Sequence, residues 1–501
     1  MRGKFILAHD IGTSGNKATL MNKYGEILAS EISSYSTFYV KENWAEQDPN
    51  DWWNAVCHTT KNIIDKTKID PKDIASVTFS GQMMGLVAVD KNVNALTRAI
   101  IWADTRAEKE VEKILRDNSL EGLYSLTGNR ISANYSAAKI RWLKLYDEQT
   151  YEKTYKFLQA KDFLIAKLTD VFATDYSDAS GTNLLDIHRK EWSPYLVNLF
   201  EIDEKKLPKI LPSTEVAGTV HKHAAKETGL AVGTPVVMGG ADGSCAALGA
   251  GVLNEGDMFN YIGSSSWISA ASEQPLFDPQ MRTFNFLHLD HQKYVPTGTM
   301  QAAGATLEWV KNQFYSNMST TEDVYLQMNE DASHSSIGSN GLICLPYLLG
   351  ERSPWWNENA RGVFFGLSMR HKKSDIVRAA IEGVSINLKL ILDSFEDNGK
   401  KVDELWLFGG GANSKFWCQL LADIYGKKIR VPYSVDEITA VGAGIAGGIG
   451  VGIIKDFSIA KDWCKQKDEY VPNNENVKKY LNVQKKFVQL YKKLEPIYEI
   501  Q

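Results

Sequence analysis

The sequence predicts an α/β protein made of two related domains, and three observations support this prediction. The chain has 501 residues, more than one hydrophobic core usually serves. A strand, a hydroxyl-rich turn and a second strand are predicted over residues 5–20, and the same pattern returns over residues 258–270. Glycine-rich turns that follow a short strand and open a helix are predicted at residues 239–240 and 409–414.

The composition excludes several classes of protein. With 44% hydrophobic and 23% charged residues and no apolar run of about 20 residues, we predict a globular chain without a membrane-spanning helix. The apolar stretch before His9 is too short for a signal peptide. A net charge of −5 without a basic block predicts no nucleic-acid partner. The five cysteines lack paired spacing, which indicates free thiols, so we expect a cytoplasmic location.

The first element is a predicted hairpin. Residues 4–8 form its first strand, residues 10–15 form a turn with two glycines, and an extended pattern resumes after the turn. The turn offers backbone N–H groups and the hydroxyls of Thr13 and Ser14 to a phosphate. Small polar loops are common, so this turn alone does not identify a site.

Helices and strands follow it in alternation. Asp48 and Pro49 predict the cap and first turn of a helix over residues 52–64, and residues 74–79 predict a strand. Residues 174–182 are polar and predict a loop.

Asp242 stands at the turn that connects a predicted strand to a predicted helix. The strand, Val236–Met238, breaks at Gly239 and Gly240, and a run of small residues follows. Open α/β folds keep functional residues at such strand ends. Aspartate is also a preferred helix N-cap, and from this segment alone capping is the commoner role. The adjacent glycines favour a site, because they let a ligand approach the backbone closely.

The second half repeats the strand and turn pattern. A Gly/Ser turn at residues 263–266 joins two predicted strands, although two such hairpins can also coincide by chance. The glycine turn at 409–414 precedes a helix and is a candidate nucleotide-binding turn. Its glycines do not have the spacing of a P-loop or of the dinucleotide-binding fingerprint. The remaining predicted elements are a helix at 374–395, a strand at 404–408, helices at 416–425 and 440–450, and charged helices beyond residue 456.

These parts together predict phosphoryl transfer. Two hydroxyl-bearing turns and a third glycine turn can donate to phosphate, and Asp10 and Asp242 stand at strand ends. One acid would hold Mg²⁺ and the other would accept the proton of an attacking hydroxyl, with their assignment left open. The sequence has no Ser–His–Asp or Cys–His set at a motif spacing that would instead predict nucleophilic catalysis.

An ordered set of motifs resembles that of the FGGY carbohydrate kinases, which belong to the superfamily of actin, Hsp70 and sugar kinases. Within this family the motifs are most similar to those of the xylulokinases. The motifs lie at residues 10–14, 81–85, 102–106, 179–186, 239–242, 263–265, 345–354, 361–367, 409–414 and 422–426. The resemblance covers nearly the whole chain. It implies two actin-like, ribonuclease H-like domains, residues 1–245 and 246–501, that enclose a cleft.

The resemblance also implies residue roles. Asp242 would be the catalytic base facing a sugar hydroxyl, and Asp10, with Asp242 beside it, would organise Mg²⁺. The ATP contacts implied are Thr13, Ser14, Ser264, Ser265, Gly304, Gly410, Gly411, Ala412 and Asn413. The sugar contacts implied are Gln82, Met83, Met84, Trp102, Asp104 and Asp242, with core packing the alternative for at least one methionine. Arg106 has an alternative role as an ion-pair partner, and Glu351 and Arg352 as braces of the cleft.

One motif departs from the xylulokinase pattern. Those enzymes usually carry Gln-Met-His-Gly, where this chain has Gln82-Met83-Met84-Gly85. A histidine donates a hydrogen bond to a sugar hydroxyl and methionine does not, so the pocket is expected to select its substrate differently. D-xylulose, phosphorylated to D-xylulose 5-phosphate, is the leading expectation. The alternatives are a gluconate or other polyol or ketose kinase, and a non-catalytic actin-like sugar sensor. A homodimer is also expected.

Overall fold

Two large mixed sheets organise residues 4–316 and 321–500, the part of the chain that the structure, a computed structural model, describes. The first sheet contains β1 (Phe5–Ile11), β2 (Gly15–Asn22), β3 (Ile27–Ser34), β4 (Ile74–Gly81), β5 (Val216–Thr219) and β6 (Pro235–Ala241). The second sheet contains β7 (Met258–Ile262), β8 (Ser266–Ala270), β9 (Phe284–Leu287), β10 (Tyr294–Met300), β11 (Glu404–Phe408), β12 (Lys428–Pro432) and β13 (Gln466–Tyr470).

The two sheets share one topology. The first has the order β5-β6-β4-β1-β2-β3, in which β1, β2 and β3 pair antiparallel and β1, β4 and β6 pair parallel. The second has the order β9-β10-β8-β7-β11-β12-β13, in which β7, β8 and β10 pair antiparallel and β7, β11 and β12 pair parallel. Strand β5 is antiparallel to β6, as β13 is to β12, so six strands of one sheet correspond to six of the other, and the predicted pair of related domains is confirmed.

Helices pack against these sheets. In chain order they are α1 (Pro49–Thr67), α2 (Glu108–Asp117), α3 (Leu120–Thr127), α4 (Ser136–Tyr146), α5 (Glu148–Lys153), α6 (Ala160–Thr169), α7 (Tyr176–Ser180), α8 (Pro194–Leu199), α9 (Lys222–Thr228), α10 (Asp242–Gly249), α11 (Gly304–Phe314), α12 (Thr321–Ser333), α13 (Lys373–Asp397), α14 (Lys415–Tyr425), α15 (Ile438–Gly450), α16 (Ile459–Trp463) and α17 (Asn474–Tyr498). The predicted Asp48 cap is present, because its side chain accepts the N–H of Asn50 at the start of α1.

Alternation along β1 places a helix on each face of the first sheet. Leu7 belongs to the core that contains residues of α1, whereas Ile6 and Ala8 pack with α15. Helix α15 comes from the C-terminal half and packs closely against α10. The contact is so close that a methyl group at Gly442 would collide with the carbonyl oxygen of Cys245. The boundary after residue 245 stays a prediction, and α15 shows that the chain returns to the first sheet beyond it.

Short two-stranded pairs complete the fold. They join Glu46–Gln47 to Ala99–Ile100, Val87–Val89 to Lys156–Leu158, Ala173–Asp175 to Lys209–Leu211, Leu185–Asp186 to Glu191–Trp192, and Ile343–Leu345 to Val363–Phe365. No helix of the described residues is long and apolar enough to cross a membrane.

Two sequence predictions of secondary structure were wrong. Residues 174–182 were predicted to be a loop, but the structure places most of them in a short strand and in α7. Most of their polar side chains are buried, and Asp175 and Asp178 pair with the buried Lys161, which a polar pattern does not reveal. The region beyond residue 456 contains β13 as well as helices, and this strand pairs with β12 at the edge of the second sheet.

Candidate active site

The candidate site begins at one edge of the first sheet. Strands β1, β4 and β6 are parallel, so their carboxyl ends lie on the same side. Asp10 is near the end of β1, Gln82 follows β4, and Asp242 follows β6. Ligands of open α/β sheets bind at this edge. The two acids that the sequence singled out are therefore brought to one place.

Asp242 is the first residue of α10 and does not cap it. The cap position is Ala241, and the Asp242 carboxylate accepts a hydrogen bond at 2.7 Å from the backbone N–H of the next residue, Gly243. Burial and the nearby charge of Asp10 raise the pKa of Asp242 to about 7, against a smaller lowering by the Gly243 N–H. A carboxyl group with this pKa can take up a proton near neutral pH.

Asp10 lies where the two halves of the chain meet. Its Oδ2 accepts a hydrogen bond at 2.7 Å from the hydroxyl of Thr439, near the start of α15. Burial raises the pKa of Asp10, while the hydrogen bond from Thr439 and the charge of Lys17 oppose that rise. The Lys17 ammonium also pairs with Glu437 at 2.8 Å. This carboxylate is therefore held in a fixed place by groups from both halves.

A cavity of about 130 Å³ opens beside Asp242. Both halves of the chain contribute to its wall, which is formed by Met83, Met84, Trp102, Tyr135, Asp242, Gly243, Trp267, Ser269, Phe284, Phe286, Thr297, Thr299 and Arg352. A wider cleft of about 850 Å³ shares Trp102 and Arg352 with this inner cavity. The arrangement suits a small polar ligand with an apolar side and several hydrogen-bonding groups.

Four predicted sugar contacts line the inner cavity, namely Asp242, Met83, Met84 and Trp102. Met84 has a φ of 64°, an uncommon conformation outside glycine, and its N–H donates to Gln159 Oε1 at 2.6 Å. Met83 also packs in a small apolar cluster with two phenylalanines, which is the core-packing alternative, and its contact with a sugar stays a prediction. The indole of Trp102 donates to Thr13 Oγ1 at 2.9 Å and connects the cavity to the first phosphate turn.

Gln82 and Asp104 are not among the residues of the cavity wall. The Gln82 amide donates to Gln47 Oε1 at 2.8 Å. Asp104 is fully buried and accepts bonds from the Ala45 N–H and the Arg106 guanidinium. Their contact with a sugar stays a prediction. Arg106 lies in the ion pairs that the sequence offered as its alternative role, since it also bonds Glu46 at 2.8 Å.

The predicted nucleotide turns meet at the corresponding edge of the second sheet. The Gly304 N–H donates to the carbonyl of Gly263 at 2.9 Å, and the Ala303 N–H donates to that of Ser264 at 2.9 Å. The turn at residues 409–413 lies against Ile262 at the end of β7. The first N–H groups of α11 are thus taken by carbonyls of the Gly263 turn, and the exposed hydroxyl of Ser264 is a donor that this surface can offer to a phosphate.

Substituting alanine for Gly304 is expected to weaken ATP binding and raise the KM for ATP. A Cβ at this position would collide with the carbonyl oxygen of Gly263 and displace the turn. Steady-state kinetics with ATP varied will measure the effect. Gly122→Ala is the matched control, since its Cβ would meet Ser119 atoms only at an ordinary distance of 3.7 Å. Equal KM values for ATP in the two variants would refute this role for the turn.

A buried charge cluster supports both walls of the site, and sequence reasoning missed it. The Lys161 ammonium lies 2.6 Å from Asp162, 2.9 Å from Asp175 and 3.1 Å from Asp178, all at most 1% exposed. Asp175 accepts the hydroxyl of Ser177 at 2.5 Å, and this hydroxyl accepts the Ala241 N–H at 2.9 Å, one residue before Asp242.

The same cluster reaches Met84 through Gln159. The backbone N–H of Gln159 donates to the carboxylate of Asp162 at 3.2 Å, and the side-chain amide of Gln159 donates to the backbone carbonyl of Asp178 at 2.8 Å. The side-chain oxygen of Gln159, Oε1, then accepts a hydrogen bond from the Met84 N–H. One buried lysine therefore fixes the backbone on both sides of the cavity.

The wall from the second sheet was also missed. Trp267 and Ser269 are two positions apart on β8 and so lie on the same face of the sheet. They pair with Thr299 and Thr297 on β10. The period of two along each strand was present in the sequence. Strand pairing, which depends on distant contacts, was needed to show that these side chains share a face with Asp242.

Comparisons with known proteins agree with this geometry. The N-terminal domain of the FGGY family of carbohydrate kinases matches residues 5–249, and the C-terminal domain of that family matches residues 258–451. The chain is 32% identical to the xylulose kinase of Bacillus subtilis over 98% of this chain and 96% of that protein. It is also 32% identical to the gluconokinase of Bacillus subtilis over 99% of this chain and 97% of that protein.

A solved structure shows the same fold over the full length. Ligand-bound xylulose kinase from Lactobacillus acidophilus superposes with a TM-score of 0.93 at 28% identity, covering 99% of both chains. The paired sheets, the acid-lined cavity and the two complete domain matches agree with one another. The chain therefore belongs to the FGGY family of carbohydrate kinases, the enzymes that use ATP to phosphorylate sugars.

Proposed function

We propose that this kinase phosphorylates the terminal hydroxyl of an open-chain sugar, with D-xylulose as substrate and D-xylulose 5-phosphate as product. The observation that carries the proposal is the position of Asp242. Its carboxyl group has a pKa of about 7 and lies in the wall of a cavity that both halves of the chain form. The similarity to xylulose kinases supports the choice of sugar.

Asp242 would act as the general base. A terminal hydroxyl that donates a hydrogen bond to its carboxylate is oriented for attack on the γ-phosphorus and gives up its proton to the same oxygen. The Trp102 and Phe284 rings line the cavity and would help to exclude water from the hydroxyl. Phosphoryl transfer depends mainly on such positioning and on neutralising the phosphate charge.

Asp10 and Asp242 fit a Mg²⁺ site that is shared with phosphates. Mg²⁺ is commonly held by one or two carboxylates, waters and phosphate oxygens. The charge of Asp10 raises the pKa of Asp242, which shows that the two groups are close. Within residues 4–316 and 321–500, no group of three or more acidic, histidine or cysteine side chains could enclose a metal alone. Bound here, Mg²⁺ would neutralise phosphate charge.

The hydroxyl turns would hold the triphosphate from both sides. We assign Thr13 and Ser14 to one side and Ser264 and Ser265 to the other. The Gly304 helix start and the turn of Gly410, Gly411, Ala412 and Asn413 are assigned to the remainder of the nucleotide. Support comes from the packing of the last two features beside the Gly263 turn.

A coupled ADP-release assay with a panel of ketoses, polyols and sugar acids tests the proposal. We expect ADP release that depends on the added sugar, with D-xylulose among the active compounds, and a sugar phosphate formed in equal amount. A protein that binds sugars but releases no ADP with any of them would instead be the non-catalytic sensor.

The activity is expected to rise with pH through about 7. The base must be deprotonated, and the raised pKa of Asp242 keeps it protonated below that value. Below the pKa that Asp242 has beside bound Mg·ATP, kcat/KM for the sugar should fall about tenfold per pH unit, and above it the value should level off. Kinetics between pH 5.5 and 9 at saturating Mg·ATP will measure this profile. A profile that is flat across this range would contradict the titration assigned to Asp242.

A further inference from the structure

A buried lysine of α4 holds the backbone of Met84 behind the wall of the inner cavity. The Lys139 side chain is fully buried, and its Nζ donates a hydrogen bond at 3.0 Å to the backbone carbonyl of Met84. The same Nζ donates to the carbonyl of Asn134, just before α4. Among the described residues, both hydrogen bonds of this amine therefore go to backbone carbonyls and not to carboxylates.

Met84 needs such support because of its backbone conformation. Its φ of 64° lies in the left-handed region, which a residue with a Cβ enters at an energetic cost. The Met84 N–H donates to Gln159 Oε1 at 2.6 Å, and the Met84 carbonyl accepts from Lys139. Side chains thus hold the peptide groups on both sides of this residue. A strained residue persists where its surroundings hold it in this way.

The start of α4 gives the same support to the second predicted sugar segment. The Ser136 hydroxyl donates to the carbonyl of Gly85 at 2.8 Å, next to the carbonyl that Lys139 binds. The side-chain amide of Asn134 donates to the carbonyl of Trp102 at 2.9 Å. One stretch of chain therefore holds the backbone of two segments that line the inner cavity.

The hydrogen bonds of Lys139 do not depend on its charge. Burial lowers the pKa of this side chain to about 7, and the charge of Asp104 opposes the change. The charges of Arg352 and Arg106 lower the pKa further. Because the neutral amine also carries N–H groups, the two carbonyls keep a donor on either side of this pKa.

We propose that Lys139 is a positioning residue for the sugar, because it holds Met84 in the left-handed conformation in which this residue forms its part of the cavity wall. The proposal rests on the kinase activity proposed above. Lys139 is not among the residues that line the cavity, so it acts through Met84. Without the amine, Met84 would favour negative φ, and the cavity would be complete in a smaller fraction of molecules. The apparent affinity for the sugar falls by that fraction.

Lys139→Met is expected to raise the KM for the sugar about tenfold and to change kcat less, since only molecules with a complete cavity bind sugar. The KM for ATP should stay near the wild-type value. Steady-state kinetics with the most active sugar of the ADP-release panel will measure both constants. Lys139→Gln keeps an N–H donor on a shorter side chain and should raise the KM for the sugar less.

Met84→Gly provides a readout that a purely structural role of Lys139 would not move. Glycine adopts positive and negative φ about equally, so its left-handed conformation needs little support. Adding Lys139→Met to Met84→Gly should therefore raise the KM for the sugar only about twofold, whatever Met84→Gly costs by itself. A lysine that merely stabilises α4 would change this constant by the same factor in both backgrounds.

Lys156→Met is the matched control. The Lys156 ammonium also bonds two backbone carbonyls, those of Lys205 at 2.6 Å and Leu207 at 2.7 Å. Neither these carbonyls nor Lys156 belong to the wall of the inner cavity. This variant should keep the wild-type KM values for sugar and ATP.

The outcomes separate this proposal from the one it rests on. Equal factors in the two Met84 backgrounds, or an unchanged KM for the sugar in both Lys139 variants, would overturn the positioning role. Failure of both Lys139 variants to fold would assign the amine to stability and would also overturn it. A wild-type enzyme that releases no ADP with any sugar would overturn the kinase activity itself.

Discussion

Replacing Asp242 with asparagine is expected to lower kcat for sugar phosphorylation by about 10²- to 10⁴-fold, the usual contribution of a general base. The amide still fills the start of α10 but cannot accept a proton from the attacking hydroxyl. Binding of ATP should remain near the wild-type level, because Asp10 and the predicted nucleotide turns are unchanged in the variant. Rapid-quench kinetics will measure the chemical step, and calorimetry will measure nucleotide binding.

The Asp242 experiment needs a check on folding. Among the residues that the structure describes, the Asp242 carboxylate accepts one hydrogen bond, from the N–H of its neighbour Gly243, so the variant should unfold at nearly the wild-type temperature. A well-folded Asp242→Asn protein with near wild-type turnover would remove this residue from the role of base. Loss of ATP binding along with turnover would instead make it part of the nucleotide site.

Replacing Lys161 with methionine is expected to lower the free energy of unfolding by about 3–5 kcal/mol, the typical cost of removing one member of a buried ion pair. The substitution leaves Asp162, Asp175 and Asp178 without the ammonium that lies within 3.1 Å of each. Methionine is close to lysine in length, so the change removes charge more than volume. Urea unfolding followed by tryptophan fluorescence will measure the difference.

Two further variants separate lost charge pairing from lost packing. Adding Asp178→Asn to Lys161→Met removes one uncompensated carboxylate and should restore part of the stability. Lys401→Met is the surface control, because its side chain is 84% exposed and pairs at 2.8 Å with Asp403, which is 72% exposed. That change should leave the free energy of unfolding nearly unchanged. Unfolding of Lys161→Met at the wild-type urea concentration would show that the cluster does not stabilise the fold.

The parts of this molecule that the sequence predicted depend on local signals. Each hairpin alternates over a few residues and has a Gly/Ser turn at its end, so the repeat in the two sheets could be recognised before any packing was known. The same holds for Asp10 and Asp242. Both follow short apolar strands, and the edge to which parallel strands bring such residues is a general property of open sheets.

The remaining features depend on contacts between distant residues. The Thr439 hydroxyl that binds Asp10 lies 429 positions away in the chain. From the sequence, Asp175 was predicted to lie in a polar loop. The structure shows that its carboxylate is buried beside the Lys161 ammonium. Arg352 could be interpreted as a brace of the cleft, because nothing in its neighbourhood reveals a cavity built from both halves. No periodic pattern encodes these contacts.

The most direct test of the central claim is a crystal structure of this kinase with its sugar, Mg²⁺ and a non-hydrolysable ATP analogue. We predict that the terminal hydroxyl oxygen lies about 2.6–3.2 Å from a carboxylate oxygen of Asp242. The γ-phosphate should lie on the opposite side of that hydroxyl, between the turns that contain Ser14 and Ser264. A sugar bound with no hydroxyl near Asp242, or a triphosphate bound away from both turns, would contradict the account.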